Sequence, residues 1–136
     1  MEKYLLITGS AIPLILGFVH LLYTFFTDKF MTRNPDTRKM METDFPKLTR
    51  RTTVWKSWIG FHASHSMGAI FFGVINLILI ANHFEIVMQS PAILIAGNLM
   101  LLSYLMIGLN YWFRIPVTGI IISLLLYFTG TVLLYL

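Results

Sequence analysis

Four long apolar runs constrain this chain more than any other feature: Tyr4–Phe26, Val54–Ala81, Pro91–Trp112 and Pro116–Leu136. About 20 helical residues cross a hydrocarbon core of about 30 Å, and each run meets that length. Inside lipid the backbone has no water to bond, which leaves only helices or a closed barrel. The runs are continuously apolar and lack the alternation of barrel strands. The predicted fold is therefore all-α: an integral membrane four-helix bundle in a single domain, residues 1–136. Its helices fall at about 4–26, 54–81, 91–112 and 116–136, with one long basic loop at 27–53.

Composition points the same way. The chain is 57% hydrophobic and only 12% charged, whereas a soluble domain is about a quarter charged. It has no cysteine, so disulfides, thiolate metal sites and cysteine nucleophiles are out. The first run is too long for a signal-peptide core, and no small-x-small cleavage site precedes Thr27-Asp28-Lys29. It also carries Pro13 and His20, and is read as a mature helix, kinked where Pro13 removes a backbone hydrogen bond.

Lysine and arginine set the orientation. Nine of the ten are Lys29, Arg33, Arg38, Lys39, Lys47, Arg50, Arg51 and Lys56 between the first two runs, and Arg114 between the last two. Only Lys3 lies on the other side. By the positive-inside rule the 27–53 loop is cytoplasmic and both termini face away from the cytoplasm. Trp55, Trp58, Tyr111, Trp112 and Phe113 suit an aromatic belt on the cytoplasmic side. The cytoplasmic or inner membrane of a bacterium is the expected location.

Within the loop, Asn34-Pro35-Asp36 reads as a turn and Asp44-Phe45-Pro46 as a second break. Thr37–Thr43 between them is a candidate short interfacial helix. Lys47, Arg50, Arg51 and Lys56 fix topology and would attract anionic lipid headgroups, worth about 1 kcal/mol each near the surface. The expected partners are membrane lipids, other membrane proteins or a second copy of the chain. Nucleic acid is not among them, because the basic charge is that of the loop.

At about 100° per residue, the second run separates two faces. Trp55, Trp58, His62, His65, Ser66, Ala69, Gly73 and Asn76 share one arc. Gly60, Ser64 and Gly68 recur on nearly the opposite side as a small-xxx-small stripe, the pattern that lets helix backbones approach closely. In the first run Pro13, Gly17, His20, Thr24 and Thr27 share a face. The third run offers Ser103, Met106 and Asn110, and the fourth Gly119, Ser123, Tyr127 and Gly130.

Ionisable residues inside a bilayer are costly and mark functional sites by default. His20 lies about 9 Å from the cytoplasmic end of its run, and His62 and His65 about 10–15 Å into theirs. The three imidazoles can therefore share one level, with Ser66 and Asn110 nearby as polar partners. Asn76 and Asn98 lie deeper and could extend a polar track. Four arrangements fit. One is a hydrogen-bonded network with Ser66, Asn110, Tyr104 or backbone carbonyls. A second is a metal site of His20, His62 and His65, since imidazole suits zinc and similar metals. That site would need an acid from Asp28, Glu42 or Asp44 reaching in from the loop. A third is haem held by His20 opposite His62 or His65, with Gly17, Gly68, Gly73, Phe18, Phe61, Phe71 and Phe72 around the macrocycle. The fourth is a pocket for a small lipophilic ligand or for a proton, which imidazole carries near neutral pH.

A rival of a different class is a non-enzymatic accessory or assembly subunit. It would pack against other membrane proteins through its small-residue faces. His83-Phe84-Glu85 reads as a solvated turn, and the scattered methionines as packing residues. No phosphate loop, nucleophile elbow or paired-carboxylate constellation is present.

Overall fold

The computed structural model describes all 136 residues and contains helices only. They are α1 (Glu2–Phe26), α2 (Pro35–Thr43), α3 (Val54–Asn82), α4 (Phe84–Gln89), α5 (Pro91–Tyr111) and α6 (Arg114–Tyr135). Of these, α1, α3, α5 and α6 are long and apolar enough to cross a membrane. The architecture is an all-α, four-span helical bundle, as the apolar runs require.

The ends differ from expectation by a residue or two, with one exception. Helix α2 starts at Pro35 because Asn34 is its N-cap, accepting a bond from the Asp36 N–H, and Pro35 takes the first position. Proline fits there, where its missing N–H costs nothing. Helix α6 starts at Arg114, so Pro116 sits in its first turn rather than ahead of it. Helix α1 continues through Pro13, whose ring is fully buried. The exception is α4. The segment read as a solvated turn is helical from Phe84, and Val87 is fully buried in the core. His83, ahead of it, and Glu85 within it are exposed.

The chain forms two compact units, Met1–Leu16 with Ala69–Leu136, and Gly17–Gly68. In the first, Leu6, Phe72, Ile80, Val87, Leu94, Leu101 and Tyr127 make the main core. Ala69, Tyr104 and Ile120 make a second cluster. Small residues bring the backbones together. A Cβ on Gly73 would stand 2.5 Å from the Leu14 Cβ and 2.8 Å from the Ser10 carbonyl oxygen. A Cβ on Gly9 would stand 2.9 Å from the Tyr127 nitrogen and 3.1 Å from the Ser123 carbonyl oxygen. Without side chains at these positions, polar groups reach across. Ser123 Oγ–H donates to the Gly9 carbonyl at 2.6 Å, and Tyr127 O–H donates to Asn76 Oδ1 at 2.6 Å. Lipid tails are as apolar as leucine, so close packing and such bonds hold membrane helices together.

The second unit holds the end of α1, the loop with α2, and the first half of α3. The loop is tied down at several points. Val54 N–H donates to the Asp44 carbonyl at 3.0 Å. The Arg38 guanidinium lies 3.6 Å from the Trp55 ring centre while bonding Glu42. Lys29 lies over the Tyr23 ring. No residue of α2 is buried.

Candidate functional site: an imidazole pair under an aromatic cover

His20 comes from α1 and His62 and His65 from α3, all within the second unit. His-x-x-His places the latter two on one helical face, since positions three apart are neighbours. His20 Nε2 lies 2.9 Å from His62 Nδ1, a direct imidazole–imidazole hydrogen bond. The two rings are stacked with centroids 5.1 Å apart, and His65 meets the His20 ring edge-on at 5.6 Å.

Both bonded histidines have the same backbone support one turn further on. Thr24 Oγ–H donates to the His20 carbonyl and Ser66 Oγ–H to the His62 carbonyl, each at 2.8 Å. Both hydroxyl residues are buried. An unbonded hydroxyl there would be costly, and the bond back into the helix satisfies it.

Aromatic rings close the pair. Phe30, from the segment after α1, lies 4.4 Å from the His20 ring centre and 4.7 Å from that of His62, stacked on the latter. Trp58, one turn before His62, meets the His62 ring edge-on at 4.4 Å. Trp58 Nε1–H donates to the Phe30 carbonyl at 3.2 Å. Helix α3 thus holds both the ring of His62 and the donor that fixes Phe30.

Asn110 belongs to the other unit, is exposed, and donates to the Met106 carbonyl of its own helix. Tyr104 also belongs to that unit, where it is buried with Ala69 and Ile120. Gly60 and Ser64 face outward: no atom lies within 4 Å of a Cβ on Gly60, and the Ser64 hydroxyl bonds the Phe61 carbonyl. At Gly60 and Ser64, then, no helix of this chain packs closely. Within α3 the tight approach is at Gly73 instead, where Ser10 and Leu14 supply the facing surface. Lys47, Arg50, Arg51 and Lys56 are all exposed.

The three histidines do not form a metal-ligand set in this arrangement, because no group of three His, Asp or Glu side chains is placed to hold an ion. One nitrogen of His20 and one of His62 are committed to each other. The loop acids do not complete a shell either. Glu42 pairs with Arg38, Asp44 accepts from the Phe45 N–H, and Asp28 is exposed. A haem between His20 and His62 does not fit, since rings in direct hydrogen-bond contact leave no space for a macrocycle. Phe18, Phe61 and Phe71 are exposed, and Phe72 belongs to the core of the other unit. Phe30 was not legible as a site residue. Its only sequence signal is an aromatic among the charged residues that follow the first span.

No family profile, curated protein or solved structure matches this chain.

Proposed function

We propose that this chain is a small multi-pass membrane protein that handles protons through the His20–His62 pair, with its termini away from the cytoplasm and its basic loop inside. One observation carries the reading: the 2.9 Å contact between His20 Nε2 and His62 Nδ1. A neutral imidazole has one N–H and one bare nitrogen, so a single proton occupies this bond. The outer nitrogens, His20 Nδ1 and His62 Nε2, are then one protonated and one bare. When a proton binds His20 Nδ1, the proton on His20 Nε2 crosses to His62 Nδ1, and His62 releases its own from Nε2. One proton enters and one leaves, and both rings end as the opposite tautomers; a second proton follows in the same direction only after both rings turn and restore the starting arrangement. Histidine chains are among the residues that make intramembrane proton relays.

Proton flux into liposomes carrying a trapped pH-sensitive dye tests this, with a potassium diffusion potential as the driving force. The protein is expected to pass protons faster than empty liposomes, and His62→Gln and His20→Gln to abolish the difference. His83→Gln, altering an exposed histidine outside the pair, is expected to leave it unchanged. Flux no greater than in empty liposomes would overturn the reading.

One observation favours the second reading, an accessory subunit that docks another membrane protein. It is the open surface at Gly60 and Ser64. Gly60→Leu would then block assembly while the histidine variants remain competent.

A further inference from the structure

The geometry points to Phe30 and Trp58 acting as one positioning unit, in which Phe30 covers the His20–His62 bond and Trp58 latches Phe30 in place. This inference rests on the proton-handling reading for its purpose, but its geometry stands independently. Phe30 is the one residue outside the two helices whose ring contacts both bonded histidines. Its side chain has no polar group, so it adds nothing to a relay except exclusion of water and restriction of ring motion. What holds it is a backbone bond: the Phe30 carbonyl accepts from the Trp58 indole N–H across 28 positions of sequence.

The latch and the pair are mechanically linked, because Trp58 also rests edge-on against the His62 ring. Rotation of His62 away from His20 must displace Trp58, Phe30 or both. While the cover is closed, His62 keeps its Nδ1 aimed at His20 Nε2, and the turn that resets the ring needs the cover to open. A covered bond does not exchange its proton with water from the loop side. The segment that carries the cover is short and bounded by tied points. Thr27 Oγ1 accepts from the Lys29 N–H, and the Met31 N–H donates to the Asp28 carbonyl. Release of the Trp58 bond therefore frees a small turn rather than the whole loop.

Diethyl pyrocarbonate acylates a bare, solvent-reached imidazole nitrogen, and its rate at each histidine is read by mass spectrometry on the full chain in lipid nanodiscs. Trp58→Phe keeps a ring against His62 and removes only the donor. Loss of one such bond corresponds to about a fivefold change in the closed population, so modification of His20 and His62 is expected to rise about fivefold. Phe30→Ala is expected to raise it further, and Phe30→Tyr, which retains the stacking ring, to stay near the parent rate. Exposed His83 serves as the internal reference and is expected not to change in any variant.

Unchanged rates at His20 and His62 in both Trp58→Phe and Phe30→Ala would overturn the cover. A rise shared equally by His83 would also overturn it, because it reports general loosening. A selective rise at His20 and His62 in a protein that passes no protons would uphold the cover and refute the relay.

Discussion

His20 Nε2 and His62 Nδ1 meet at 2.9 Å, although 42 positions separate them in the chain. The bond uses one nitrogen of each ring and so decides what the rings can do next. It leaves a linear path through two imidazoles rather than a ring of nitrogens converging on one point. Phe30 and Trp58 set its surroundings, and Thr24 and Ser66 support the helix turns on either side of it.

Tyr127 and Asn76 are expected to contribute to stability by the bond between them, 2.6 Å long and buried. Tyr127→Phe removes the donor, leaves Asn76 Oδ1 unpaired and keeps the ring. Hydrogen bonds between membrane helices average about 0.6 kcal/mol, so a loss of about 1 kcal/mol is expected. Reversible unfolding in mixed micelles with increasing denaturing detergent measures it.

Two glycines of α3 make a contrasting pair. Gly73→Ala places a Cβ 2.5 Å from the Leu14 Cβ and 2.8 Å from the Ser10 carbonyl oxygen. Overpacking of this kind costs about 1–3 kcal/mol. Gly60→Ala meets nothing within 4 Å and is expected to stay within about 0.5 kcal/mol of the parent. The same unfolding assay, run on both, separates them.

The loop is expected to lie on an anionic membrane surface. Leu48 is 95% exposed and stands among the exposed Lys47, Arg50 and Arg51. Apolar and basic side chains together favour insertion at a charged headgroup region. Because the chain has no cysteine, Leu48→Cys carries a single environment-sensitive probe. Its emission is expected to shift to the blue in vesicles containing anionic lipid. Replacing Lys47, Arg50 and Arg51 with glutamine removes about 3 kcal/mol of attraction and is expected to abolish the shift.

Orientation is tested with the same freedom from background. Asp36→Cys in the loop and Ser90→Cys between α4 and α5 lie at opposite ends of span α3. A membrane-impermeant thiol reagent added to intact cells is expected to label the Ser90 variant and spare the Asp36 variant. The opposite pattern would invert the topology.

The spans were legible because a bilayer demands about 20 apolar residues in a row, a pattern visible without any partner. The shared face of His62, His65, Trp58 and Ser66 was legible from helical spacing alone. Contacts that depend on where the chain returns were not. Phe30 has no periodic signal, since its role comes from a bond to Trp58 across the loop. Asn110 fell near the expected level of the histidines by counting residues, yet its side chain turns back to Met106. Gly60, Ser64 and Gly68 have the spacing of a packing stripe, but spacing does not say whether the neighbour is a helix of the same chain, and at Gly60 none lies within reach. Helix α4 was hidden because six residues are too few for a period, and burial of Val87 depends on tertiary packing.

The imidazole–imidazole bond itself is the most direct test. Solid-state nitrogen NMR on protein with labelled histidines in lipid bilayers reads the protonation of each ring nitrogen and which nitrogens are close. Expected is a cross-peak between His20 Nε2 and His62 Nδ1, one protonated and one bare, absent from His62→Gln. Two ring nitrogens with no contact between them, in a folded protein, would contradict the relay.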